Sequence, residues 1–128
     1  PAHGRLKRRS RALSYHNFAL QPLVLLAAFG EANDQHWLRS EHAALQRLAT
    51  LVIHNLDDSS ALAQAAEAKQ VKESLHEHGR LSWLAPYIAI SGNREWLPLV
   101  KSLSTLKMTR LGGDLRYLYL RNEPGFTQ

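Results

Sequence analysis

The sequence predicts an all-α chain, and three observations carry that expectation. Apolar residues make up 45% of the 128 positions, enough for a packed core and too many for wholesale disorder. Most of them are Ala and Leu, with few β-branched residues, a balance that favours helices over strands. They recur at helical spacing in several windows punctuated by Gly, Pro, Asn, Asp and Ser. At this length a single domain accounts for residues 1–128.

The first helix is expected from Ser10 to Gly30, largely buried, through Ala12, Leu13, Phe18, Ala19, Leu20 and the run Leu23 to Phe29. Pro22 should kink it or split it at Gln21, because proline lacks the N–H donor and crowds the preceding turn. Gly30 is a natural stop. Asn33 or Asp34 can then cap a second helix reaching Asn55, with Trp37, Leu38, Ala44, Leu45, Leu48, Leu51 and Val52 at helical spacing.

Asp57, Asp58, Ser59 and Ser60 read as a turn and cap before an Ala-rich helix ending near Lys69. Val71 to Gly79 is polar and weakly patterned, a helical turn or a loop. Leu81 to Ile90 predicts a helix interrupted by Pro86, Ser91-Gly92-Asn93 a turn, and Arg94 to Ser104 a short helix containing Pro98. The Gly112-Gly113 pair breaks the pattern, and Leu115, Tyr117, Tyr119 and Leu120 read as a short strand or an extended closing segment. No fixed-period repeat is visible.

The formal charge is +5, and Arg5, Lys7, Arg8, Arg9 and Arg11 concentrate much of the excess near the N-terminus. Such a cluster attracts polyanions: nucleic acid, anionic lipid or an acidic polysaccharide. The basic residues precede a strongly apolar helix and do not decorate one, so a helix-turn-helix reading is poor. No nucleic acid is expected as partner, although a non-catalytic module binding polyanions, acidic polysaccharide or nucleic acid, through this cluster is the alternative function. The longest uninterrupted apolar run, Leu23 to Phe29, is too short to span a bilayer, so no membrane is expected.

The chain has no cysteine, which excludes disulfides, thiolate catalysis and cysteine-ligated zinc. It opens at Pro1 with no signal peptide, as expected of a processed or trimmed product. Of seven histidines, His76 and His78 are the closest pair, and two residues apart on a helix they would face different ways. No metal is expected. Trp37, Trp83 and Trp96 could stack on sugar rings, but among Leu and Ala at helical spacing each reads first as core. Glu41 and Asp114 have no partner carboxylate of the kind a glycoside hydrolase needs.

The stretch richest in chemistry is Arg8-Arg9-Ser10-Arg11-Ala12-Leu13-Ser14-Tyr15-His16-Asn17. Arg8 and Tyr15 are almost two helical turns apart, so both can project from one face, about 10 Å apart along the axis. Arg11 lies one turn before Tyr15 on the same side. Guanidinium groups favour the ionised form of a neighbouring phenol, an arrangement suited to a tyrosine that takes a proton. A tyrosine packed in a core with a satisfied hydroxyl fits the same periodicity.

Leu6 to Leu23, with Arg8, Leu13-Ser14-Tyr15-His16-Asn17, Ala19-Leu20 and Pro22-Leu23, resembles the mannuronate-specific alginate lyases of alginate-producing bacteria. The resemblance continues through Ala44-Leu45-Gln46-Arg47-Leu48, Trp83-Leu84-Ala85-Pro86-Tyr87 and Arg110-Leu111-Gly112-Gly113-Asp114-Leu115. It implies part of an incomplete (α/α) toroid of antiparallel helix pairs, a periplasmic location, no cofactor, and alginate as substrate. The family reaction is a β-elimination at mannuronate, which removes the C5 proton and expels the C4 glycosidic oxygen. Both groups leave from one face, so one tyrosine can serve as base and then as acid. The family's catalytic tyrosine falls on Tyr15 and its tyrosine-activating arginine on Arg8, with Arg11 and His16 as candidate substrate-binding residues.

Two departures qualify the resemblance. The family's Asn-Asn-His-x-Tyr-Trp motif, whose Asn-His pair helps to neutralise the substrate carboxylate, is absent, and Phe18 stands where a second tyrosine is expected. Family members are also longer on the N-terminal side. The chain is therefore expected to be a C-terminal portion holding half an active site, inactive alone. Apolar surface exposed by such truncation is expected to drive self-association.

Overall fold

The computed structural model describes residues 9–36, 42–72 and 74–126, the side chains of His42 and Ala43 excepted. A 3₁₀ turn, Arg9–Arg11, leads into α1 (Ala12–Ala32). Then come α2 (His42–Asp57), α3 (Ser60–Ala66), α4 (Leu84–Ser91) and α5 (Leu97–Ser102). A small hairpin joins β1 (Lys107–Met108) to β2 (Gly113–Asp114) through a 3₁₀ turn at Thr109–Leu111, and α6 (Leu115–Leu120) follows. The chain is thus mostly helical, as the composition predicts, with one two-stranded hairpin that the sequence pattern does not disclose.

Helix α1 is the spine. It buries Leu13, Asn17, Leu20, Val24 and Ala27, a 4-3-4-3 spacing that makes one continuous stripe against α2 and α4. Pro22 does not split it: the helix is continuous from Ala12 to Ala32. Its ring lies on the exposed face, where the Phe18 carbonyl that loses its helical donor can be hydrated. Burial of the opposite stripe then offsets the roughly 3 kcal/mol that an interior proline costs. The helix also runs two residues past Gly30, whose carbonyl receives the backbone N–H of both Asn33 and Gln35. Asn33 and Asp34 therefore close α1, and Gln35 and His36 after them are not helical, so no helix starts directly from Asn33 or Asp34; α2 is described from His42.

Pro86 and Pro98, unlike Pro22, mark helix starts. Pro98 stands in the first turn of α5 and Pro86 in that of α4, where a backbone N–H has no partner within the helix. Both helices are accordingly shorter at their N-terminal ends than periodicity suggests, and Pro86 interrupts nothing. The Ala-rich α3 ends at Ala66, with Glu67 in the left-handed region at φ 54°. Ahead of α3, the Asp58 carboxylate accepts from the Ser60 N–H at 2.9 Å, and this bond first of all holds Asp58 below its ordinary value.

Leu115 to Leu120 is a helix and not a strand. Asp114 Oδ1 accepts from the Arg116 N–H at 3.1 Å, which caps the first turn, and Leu115 and Leu120 are buried while Tyr117 and Leu118 face outward. The alternation of Leu115, Tyr117 and Tyr119 suggests a strand, but burial follows helical spacing. At the centre of the core Tyr87 meets Trp83 edge-on at 5.9 Å and stacks on Trp96 at 5.6 Å. Trp83 and Trp96 are buried; Trp37 and Leu38 lie outside the described residues.

A second face of α1 is left open. Tyr15, Phe18, Pro22, Leu26 and Phe29 follow one another at 3-4-4-3 spacing and are exposed, Phe29 to 61%. The helix reading as largely buried is therefore true of one side only. Over Arg9–Ala32 the segment is long and apolar enough, by length and composition, to cross a membrane. Its buried side nevertheless packs in the core and carries the hydrogen-bonded Asn17, as in the central helix of a globular fold.

Candidate active site

The start of α1 is held by residues from the other end of the α3 loop. Arg11 offers no side-chain cap, so the first-turn amides need partners elsewhere. The Leu13 N–H donates to Gln70 Oε1 at 3.0 Å, and Gln70 Nε2 donates to the Arg9 and Ala68 carbonyls, each at 2.9 Å. The Val71 N–H reaches the Ser10 carbonyl at 2.8 Å, and Arg9 Nη2 the Glu67 carbonyl at 3.1 Å. Gln70 is buried, and its bond from the Leu13 N–H forms away from water; together these bonds fix the arginine-bearing turn. Gln70→Ala is expected to cost about 1–3 kcal/mol and to speed hydrogen exchange at the Leu13 amide. Exchange there no faster than in the native chain would refute the clasp.

One turn further on, Asn17 joins α1 to α4 and the loop before it. Its Nδ2 donates to the Arg80 carbonyl at 3.0 Å, and its Oδ1 accepts from Trp83 Nε1 at 2.7 Å. Both partners are fixed by the core, so Asn17 sets the rotation of α1 about its own axis. That rotation aims Tyr15, two residues earlier, at the outside.

Tyr15 and Phe18 form one wall of a cleft of about 610 Å³. Arg11 borders the same cleft, and Ser74, Arg80 and Arg110 complete it from distant stretches of chain. Arg80 is anchored by donating Nη1 to the Ser74 carbonyl at 3.0 Å and to the Ser74 hydroxyl. Arg110, in the turn of the hairpin, holds its guanidinium 5.0 Å above the Phe18 ring. Fixed cations in a partly enclosed space bind carboxylates more strongly than mobile surface charges do.

Of the sequence candidates, Tyr15 and Arg11 are brought together at this cleft. His16 is not among the lining residues; its Nδ1 lies 2.6 Å from the Ala12 carbonyl of its own helix. Arg8, with Arg5 and Lys7, lies outside the described residues. Arg80, Arg110, Asn17 and Gln70 are additions that periodicity gives no means of finding, because each acts through a partner far along the chain. Tyr87, by contrast buried, is pushed up by desolvation and stacked in the core, so it is no candidate base. Among the described residues no group of three or more His, Cys, Asp or Glu could hold a metal ion.

Comparison with known proteins matches residues 5–62 to the family described as alginate lyase. An alginate lyase of Azotobacter chroococcum is 38% identical over 115 residues, 89% of this chain and 31% of that protein. One from Pseudomonas aeruginosa is 36% identical over 117 residues, 91% of this chain and 32% of its own length. One from Pseudomonas syringae pv. tomato is 36% identical over 115 residues, 89% and 30% respectively. The chain spans about a third of the length of the curated relatives it matches.

Proposed function

From the premise that this chain carries an alginate lyase family domain, with homology over about nine tenths of its length, we propose that it is the C-terminal portion of a periplasmic lyase for poly-β-D-mannuronate. The observation that supports this most is the cleft in which Tyr15 stands beside Arg11, Arg80 and Arg110. In the proposed reaction the Tyr15 phenolate takes the C5 proton, the C4–O bond breaks, and the same proton passes to the departing glycosidic oxygen. A 4,5-unsaturated uronate and a new chain end result, and Tyr15 returns to its starting state.

The arginines serve the substrate in this scheme. Arg11, Arg80 and Arg110 border the cleft and neutralise the uronate carboxylate so that charge can build at C5 in the transition state. Arg8 is the arginine that the family resemblance sets with Tyr15. The helix pairs belong to an incomplete toroid, and the open face of α1 at Pro22, Leu26 and Phe29 is its contact with the remaining two thirds of the protein. Alone, the chain tends to self-associate through that face.

The test is the ultraviolet absorbance of unsaturated uronate on mixing with polymannuronate. The expected result is no rise with the chain alone, because its sequence lacks the family's Asn-His pair, and a clear rise once the missing length is restored. A rise with the chain alone would overturn the incompleteness, and silence from the restored protein would overturn the lyase reading itself.

A further inference from the structure

Beyond Leu103 the chain builds a second concave surface. The hairpin pairs Lys107 with Asp114 and Met108 with Gly113, then passes straight into α6. After α6 the chain folds back through two turns, with the Glu123 N–H on the Leu120 carbonyl and the Phe126 N–H on the Glu123 carbonyl, each at 3.0 Å. Between hairpin, α6 and tail lies a groove of about 820 Å³.

Its charge is lopsided. Lys107, Arg116 and Arg121 border it, and Asp114 is the one carboxylate among the described residues that do. Glu123 is engaged by Arg94 and is not part of the lining. Arg116 is fixed in place: its guanidinium lies 5.8 Å from the Phe126 ring centre and donates to the Leu103 carbonyl at 3.4 Å. Tyr117 stands at the rim, 66% exposed, offering an aromatic face beside the cations.

We propose that this groove is a second binding site for acidic polysaccharide, holding a stretch of the same uronate chain whose neighbouring sugars occupy the Tyr15 cleft. The hairpin connects the two: Arg110 in its turn borders the cleft, while Lys107 and Gly112 on either side border the groove. A polyuronate carries a carboxylate on every sugar, which suits separated, anchored cations, and the C–H faces of its rings suit the exposed Tyr117. Single-stranded nucleic acid needs successive aromatic platforms for its bases, and the groove offers no such series among its described residues.

This inference rests on the lyase reading, and calorimetric titration of the whole chain with long polymannuronate and with trimannuronate separates the two. The double variant Lys107→Glu, Arg121→Glu is expected to bind the long polymer about tenfold more weakly and trimannuronate unchanged. Tyr117→Ala, on an exposed ring whose loss leaves the core intact, is expected to weaken only the long polymer as well. Undiminished long-polymer binding in both variants would overturn the groove. Native protein that binds trimannuronate no less tightly than long polymer would do the same while leaving the cleft standing. Failure to bind either length would overturn both readings, and tighter binding of DNA than of polymannuronate at matched salt would overturn the choice of ligand.

Discussion

In protein restored to full family length, Tyr15→Phe is expected to lower the rate of unsaturated uronate formation by about 10³-fold, with polymannuronate affinity little changed. The substitution removes one oxygen from a half-exposed side chain and leaves the ring against the cleft wall. The rate falls because one oxygen both takes and returns the proton, so no neighbour is left to share the work. His16, the nearest rival in sequence, sits against the Ala12 carbonyl and outside the lining. Initial rates across substrate concentration decide it: a phenylalanine variant that keeps a tenth of kcat excludes Tyr15 as the base.

Gly79→Ala is expected to cost about 2–4 kcal/mol, measured by chemical denaturation, through two separable effects. Gly79 sits at φ +71°, a region where a side chain costs roughly 1 kcal/mol or more. A Cβ there would also stand 2.1 Å from the Lys107 carbonyl oxygen, a main-chain atom of the hairpin that can yield only if the hairpin shifts. Gly92 supplies the control. It has the same φ, and nothing lies within 4 Å of its would-be Cβ. Gly92→Ala should therefore show the backbone cost alone, and equal losses at the two positions would refute the close approach.

The parts of the fold that read correctly from sequence are those fixed by local chemistry. Composition and spacing give α1 and the helix after Ser60, though not which side of α1 is buried. The misreadings share a cause, since each depends on which side of an element meets the core. Pro22 is tolerated because its face is exposed, and Leu115–Leu120 is helical because Asp114 caps it and burial falls on Leu115 and Leu120. The site divides in the same way. Arg11 and Tyr15 are one turn apart on one helix, so spacing alone pairs them. Arg80 and Arg110 reach the cleft only through the hairpin and the loop before α4, and no local pattern marks them. Gln70 sits in a polar stretch with no periodicity at all, yet two of its hydrogen bonds, to the Leu13 amide and the Arg9 carbonyl, shape the turn that carries the arginines.

The bonds that orient Tyr15 and its arginines close over long spans of chain: 57 residues from Leu13 to Gln70, 63 from Asn17 to Arg80 and 66 from Asn17 to Trp83. Contacts of such high order are the last to be rewarded in folding, because the loop between them must be closed first. The cleft is therefore a late-maturing part of the molecule, completed only when loop, hairpin and spine have docked together. A partly folded chain can carry α1 intact and still have no cleft.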